Sequence, residues 1–153
     1  MDLVAGDARD ILLVLGTNDL DAFDDPRRFI AHVALGGGLD PTWLDLFAEA
    51  ARGVVGADGP GDFLDARIEL NGPDDLEHHS VERVDPNWVD AVAMIPDPQV
   101  GAIASAWIDL IEDELGTLAR DEKPWIRELT GNLIAFCRAA DRAPDVLFAW
   151  SLR

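Results

Sequence analysis

Residues 63–70 read Phe63-Leu-Asp-Ala-Arg-Ile-Glu-Leu70, and the fold class turns on whether they form a strand. In the second half, Ala66, Ile68 and Leu70 alternate with Arg67 and Glu69, the period of a half-buried strand. Asn71-Gly72-Pro73-Asp74 then supplies turn chemistry: Gly and Asn accept left-handed backbone, and Pro fixes φ. Beyond an acidic loop, Asp74 to Glu77, the segment His79 to Val84 sets Val81 against Glu82 and Arg83. The two segments are expected to pair as a hairpin across that loop. Val146 to Leu152, apolar except at Ser151, reads as a last strand joining the hairpin beside Leu3-Val4.

Most of the remaining chain carries helical signals. Asp-Pro occurs at 25–26, 40–41, 85–86 and 97–98. Aspartate caps the free N–H groups of a first turn, and proline suits the first helical position, so each pair predicts a helix start. A first helix is expected with Asp7 as N-cap, Ile11, Leu12, Val14 and Leu15 on its apolar side, and Gly16 at its end. The others are expected from Pro26 to Leu35, from Pro41 to Val55, from Pro86 to before Pro96, from Pro98 to Leu115, and from about 122 to 140. In the Pro26 helix, Phe29, Ile30 and Val33 would share a face, with Gly36-Gly37-Gly38 as the break. The expectation is an α+β fold: an α-rich single domain over 1–153, with about six helices and a small antiparallel sheet. An all-α bundle, in which the strand segments are irregular, is the alternative.

Charge is the strongest compositional signal. Thirty acidic residues face twelve basic ones, for a net charge of -18, and Lys123 is the only lysine. High-GC coding bias in a bacterium, adaptation to a salty cytoplasm, and an acidic face for a basic partner compete to explain it. All three argue against nucleic acid, whose phosphates need a basic footprint, and against anionic membranes. No run approaches the ~20 apolar residues of a membrane span. The start, Met1-Asp2-Leu3-Val4, has no basic region of a secretory signal. A lone cysteine, Cys137, cannot form an internal disulfide, so a cytoplasmic location is expected.

Each candidate site competes with a plain structural role. His78-His79, behind Asp74, Asp75 and Glu77, offers imidazole and carboxylate ligands, but neighbours in a strand point to opposite faces and no His-x-x-x-His spacing exists. His32, placed on the Pro26 helix, titrates near neutrality and would need a nucleophile such as Ser80, Ser105 or Thr130; none lies in a Gly-x-Ser-x-Gly elbow. Cys137 falls on the apolar stripe of the last helix, where a buried structural role is expected. Glu112-Asp113-Glu114 and Asp19, Asp21, Asp24 and Asp25 lack the ligand spacing and central glycine of a calcium loop. Gly36-Gly37-Gly38 lacks the Lys-Ser or Lys-Thr of a phosphate loop and leads to Asp40, which would repel an anion. No catalytic, cofactor or metal residue is therefore assigned.

Trp43, Trp88 and Trp125, each in a predicted first turn, are the expected partner-binding residues, against the simpler role of core packing. The leading functional expectation is an acidic interaction or regulatory module, immunity- or antitoxin-like, that binds a basic protein. An enzyme with a nonlocal site, with His32 and His79 sharing a pocket, is one alternative, and non-enzymatic function is favoured over it. A structural homodimer is the other.

Overall fold

Five antiparallel strands organise the described part of the chain, which in this computed structural model comprises residues 1–36, 41–69 and 79–151, with 69, 79 and 151 described by backbone only. They are β1 (Asp2–Gly6), β2 (Ala31–Ala34), β3 (Arg67–Glu69), β4 (His79–Val84) and β5 (Asp145–Ser151), in spatial order β2-β1-β5-β4-β3. The expected hairpin forms, with Ile68 opposite Arg83 and Arg67 opposite Val84. The last strand lies where the sequence suggested: Leu3 and Val4 of β1 face Phe148 and Leu147, and β4 pairs along the other edge of β5.

Strand alternation sends two sets of side chains to opposite faces. Leu3, Ala5, Val33 and Phe148 join one buried cluster with four helices: α2 (Thr42–Val55), α4 (Pro86–Ala93), α5 (Val100–Leu115) and α6 (Glu122–Ala140). Val4, Leu147 and Ala149 lie on the other face. There Ile11, Val14 and Leu15 of α1 (Ala8–Thr17) cover them, with Phe23 and Phe29. A one-turn helix, α3 (Phe63–Ala66), leads into β3. Six α-helices and the antiparallel sheet of the described residues make the fold α+β and rich in helix.

Local chemistry explains most element ends. The Asp7 carboxylate accepts from the Arg9 and Asp10 N–H groups, and that of Asp85 accepts from Asn87 N–H. Helix α1 passes through Gly16, the expected stop, and ends at Asn18, whose left-handed backbone (φ 54°) lets its N–H reach the Leu15 and Val14 carbonyls. Arg138 of α6 holds the end of α4 in place: its guanidinium donates to the Ala93 and Ile95 carbonyls and lies 2.7 Å from Asp97.

One expected helix is absent. Residues 26–35 form a single turn followed by β2, and His32 therefore sits on a strand. The Asp25 carboxylate does accept from Arg27 N–H, and Phe29 N–H bonds the Asp25 carbonyl, but the ladder stops there. Ile30 N–H instead donates to the Ala5 carbonyl and Leu35 N–H to that of Met1. A helix would have buried Ile30 with Phe29 and Val33; Ile30 is 47% exposed, whereas Val33 and Leu35, two apart, are buried. The open edge of β1 gave these backbone groups partners, and cap chemistry alone was satisfied by a turn. Asp97-Pro98 is likewise a 3-10 turn, Asp97–Gln99, before α5 begins at Val100, and α2 begins at Thr42 rather than Pro41.

Candidate functional site

The three tryptophans singled out by sequence have different environments. Trp88 is a core residue, 4% exposed, with its ring against Phe63 and its indole N–H donating to the Gly61 carbonyl. Trp43 and Trp125 are half-buried at the starts of α2 and α6, on the helix-covered side of the sheet. Trp107 of α5 ties that region together: it is fully buried and donates its indole N–H to the Trp43 carbonyl at 2.9 Å. The Trp125 ring fits against Gly36, where an added Cβ would lie 3.3 Å from it.

The segment that holds Trp125 is acidic. The segment from Asp109 to Glu128 carries seven carboxylates against Arg120, Lys123 and Arg127. Lys123 is already committed, 3.0 Å from Glu112. That pairing, with an N–H bond from Leu118, holds the Glu112 carboxyl below its usual range. Arg127 donates to Ser105 Oγ. Asp109, Asp113, Glu114, Asp121 and Glu122 are exposed. Glu112, Asp113 and Glu114 occupy the last turn of α5, which has no basic residue. Carboxylates there oppose the negative end of the helix dipole. Glu112 has two compensating contacts, whereas Asp113 and Glu114 make no ion pair among the described residues.

The histidines do not assemble a reaction centre among the described residues. His32 is on β2 and His79 on β4, strands whose backbones lie three spacings apart, roughly 14 Å. Both ring nitrogens of His32 are occupied: Nε2 is 2.8 Å from Asp2 and Nδ1 is 2.8 Å from Asp24. A general base needs a free nitrogen, and in this arrangement both of those of His32 are engaged. Ser80 lies two strands beyond β1 and pairs with Trp150 on the other face of the sheet. Thr130 is buried and donates to the Ile126 carbonyl. Asp74, Asp75, Glu77 and His78, with Gly37, Gly38 and Asp40, lie outside the described residues. Among those described, no group of three His, Cys, Asp or Glu has the geometry of a metal site, and no helix is long and apolar enough to cross a membrane.

Cys137 is fully buried on α6, and that burial pushes its thiol up to about 12. The thiolate is the reactive form, so this cysteine is inert while the protein is folded. A thiol reagent such as Ellman's is expected to label it at least about 1,000-fold more slowly in buffer than in denaturing urea, because reaction must await opening of the fold. Equal rates in the two solvents would show that α6 does not cover the sulfur.

The clamp on His32 was invisible to sequence reasoning, because its partners are 30 and 8 residues away and carry no motif. No protein-family model matches this chain, and neither curated proteins nor solved structures provide a match.

Proposed function

We propose that this chain is an acidic protein-binding module that takes a basic protein as its partner, in the manner of an immunity or antitoxin protein. The observation that carries the reading is Asp113 and Glu114: two exposed carboxylates, without an ion pair among the described residues, at the end of a helix whose dipole opposes them. Neither helix stability nor an ion pair among the described residues accounts for them there. At the starts of α2 and α6, Trp43 and Trp125 offer half-buried aromatic surface of the kind that anchors interfaces. A second copy of the chain is the poorer partner for this edge, because it would bring like charges together. Trp88 takes no part, being enclosed in the core.

The test is capture of partners from the native host's lysate at low and at moderate salt, with each retained protein identified by mass. One basic protein is expected at low salt, with less retained as salt rises. The double variant Asp113→Asn/Glu114→Gln is expected to weaken its binding about tenfold at low salt, mainly through slower association. The same variant should keep or slightly raise thermal stability, because it removes charge from the wrong end of α5. No basic protein at either salt, or one held equally by the double variant, would sink the proposal.

A further inference from the structure

On the other side of the sheet, one side chain fastens an acidic turn to the strands. Residues Leu20–Asp24 form a 3-10 turn after α1, flanked and occupied by Asp19, Asp21, Asp24 and Asp25. Phe23 anchors it from below, and its ring tilts against that of His32 at 5.4 Å. His32 reaches from β2 between Asp2 of β1 and Asp24 of the turn. Its side chain is 11% exposed, while that of Asp24 is 77% exposed.

The two hydrogen bonds fix the protonation state. An ionised carboxylate only accepts, and a neutral imidazole has a single N–H. Carboxylates on both nitrogens are therefore satisfied together only by the imidazolium. We propose that His32 is a proton-operated latch: as imidazolium it fastens the acidic turn to β1 and β2, and on losing one proton it keeps Asp2 and releases Asp24. Asp24 is the partner that leaves because water can solvate it at once, whereas Asp2 is largely covered.

The groups facing the ring agree with this. From β1 comes Asp2, whose other oxygen is 4.0 Å from the Met1 ammonium. From the turn comes Asp24, and Phe23 is apolar. Opposite on β1 stands Val4, and α6 joins β2 in the cluster containing Val33 and Leu35, on the other face. Burial alone would lower the histidine's affinity for its proton; the hydrogen bonds and charges of Asp2 and Asp24 outweigh it, and the net shift is upward from 6.5. A raised folded value stabilises the latched form fully below about 6.5, and that contribution is lost as pH rises through the folded value.

The experiment follows the His32 ring by nitrogen NMR from about pH 5.5 to 9, a span chosen around the ordinary histidine value. Hydrogen exchange of the Ala22 and Asp25 amides, which close the turn on the Asp19 and Ala22 carbonyls, is read over the same range after correction for intrinsic rates. The ring is expected to titrate above 6.5, and protection of the two amides is expected to fall about tenfold at the same midpoint. Amides in β1 and β5 should stay protected throughout. Asp24→Asn, a change at an exposed side chain, should lower the midpoint of His32 and remove the coupled step. His32→Gln should leave the turn weakly protected at every pH. Turn protection that ignores the titration of His32, or a midpoint that Asp24→Asn leaves in place, would overturn the latch.

Discussion

Replacing Trp107 by alanine is expected to destabilise the fold by about 4 kcal/mol, the range of deleting a large buried aromatic side chain. Trp107 is fully buried and its ring meets Phe47 edge-on at 5.2 Å, so the substitution removes apolar contact between α5 and α2. It also strips the Trp43 carbonyl of its indole donor. Trp107→Phe keeps a six-membered ring in the site but loses the N–H with the rest of the indole, so it removes the hydrogen bond and leaves a smaller cavity. The phenylalanine variant should lie between wild type and alanine. Urea unfolding followed by circular dichroism gives the differences directly. A loss below about 1 kcal/mol for the alanine variant would mean that α5 and α2 do not pack through this residue.

The second large effect is expected at Phe63. This residue is the anchor of α3, a helix of one turn that is far too short to be stable alone. Its ring meets Trp88 of α4 at 5.0 Å and Phe148 of β5 at 5.1 Å, both edge-on. Phe63 is thus where α3, the helical layer and the central strand meet. Phe63→Ala is expected to cost about 3–5 kcal/mol. Because Ala66 accepts from Asp85 N–H and leads into β3, loss of the anchor should also expose the amides of β3 and β4 to exchange before those of β1. A double-mutant cycle with Phe148→Ala should show a coupling of about 0.5–1.5 kcal/mol. Additive losses would mean that the ring contact contributes nothing beyond burial.

Where local rules and tertiary packing agreed, the fold was legible. The alternation of Arg67 to Glu69 and of the segment ending at Val84 marked the hairpin, and the apolar tail marked the strand that joins it to β1. Asp85-Pro86 was a true start because its carboxylate caps a helix that then buries Trp88, Val89 and Val92. Asp25-Pro26 carries the same pair and starts no helix. What differs lies outside the dipeptide: residues after Asp25 can complete a ladder with β1, and Val33 and Leu35 gain more from the sheet face than Ile30 would from a helix face. Of the aromatic candidates, sequence could not separate the core residue Trp88 from Trp43 and Trp125, since all three follow a proline or helix start and differ only in what packs over them. The His32 clamp depends on three segments meeting in space, and neither periodicity nor spacing encodes that meeting.

The placement of β5 has a consequence for how the protein is made. Its residues follow those of every other described element, yet it occupies the middle of the sheet, between β1 and β4. Until residues 145–151 leave the ribosome, β1–β2 and β3–β4 are two separate ribbons, each with an inner edge of unpaired backbone groups. Such ribbons are marginal in water and such edges invite pairing with other chains. Completion of the sheet therefore waits on the synthesis of residues 145–151, and a chain cut just before this strand would carry two sticky edges with no strand to close them.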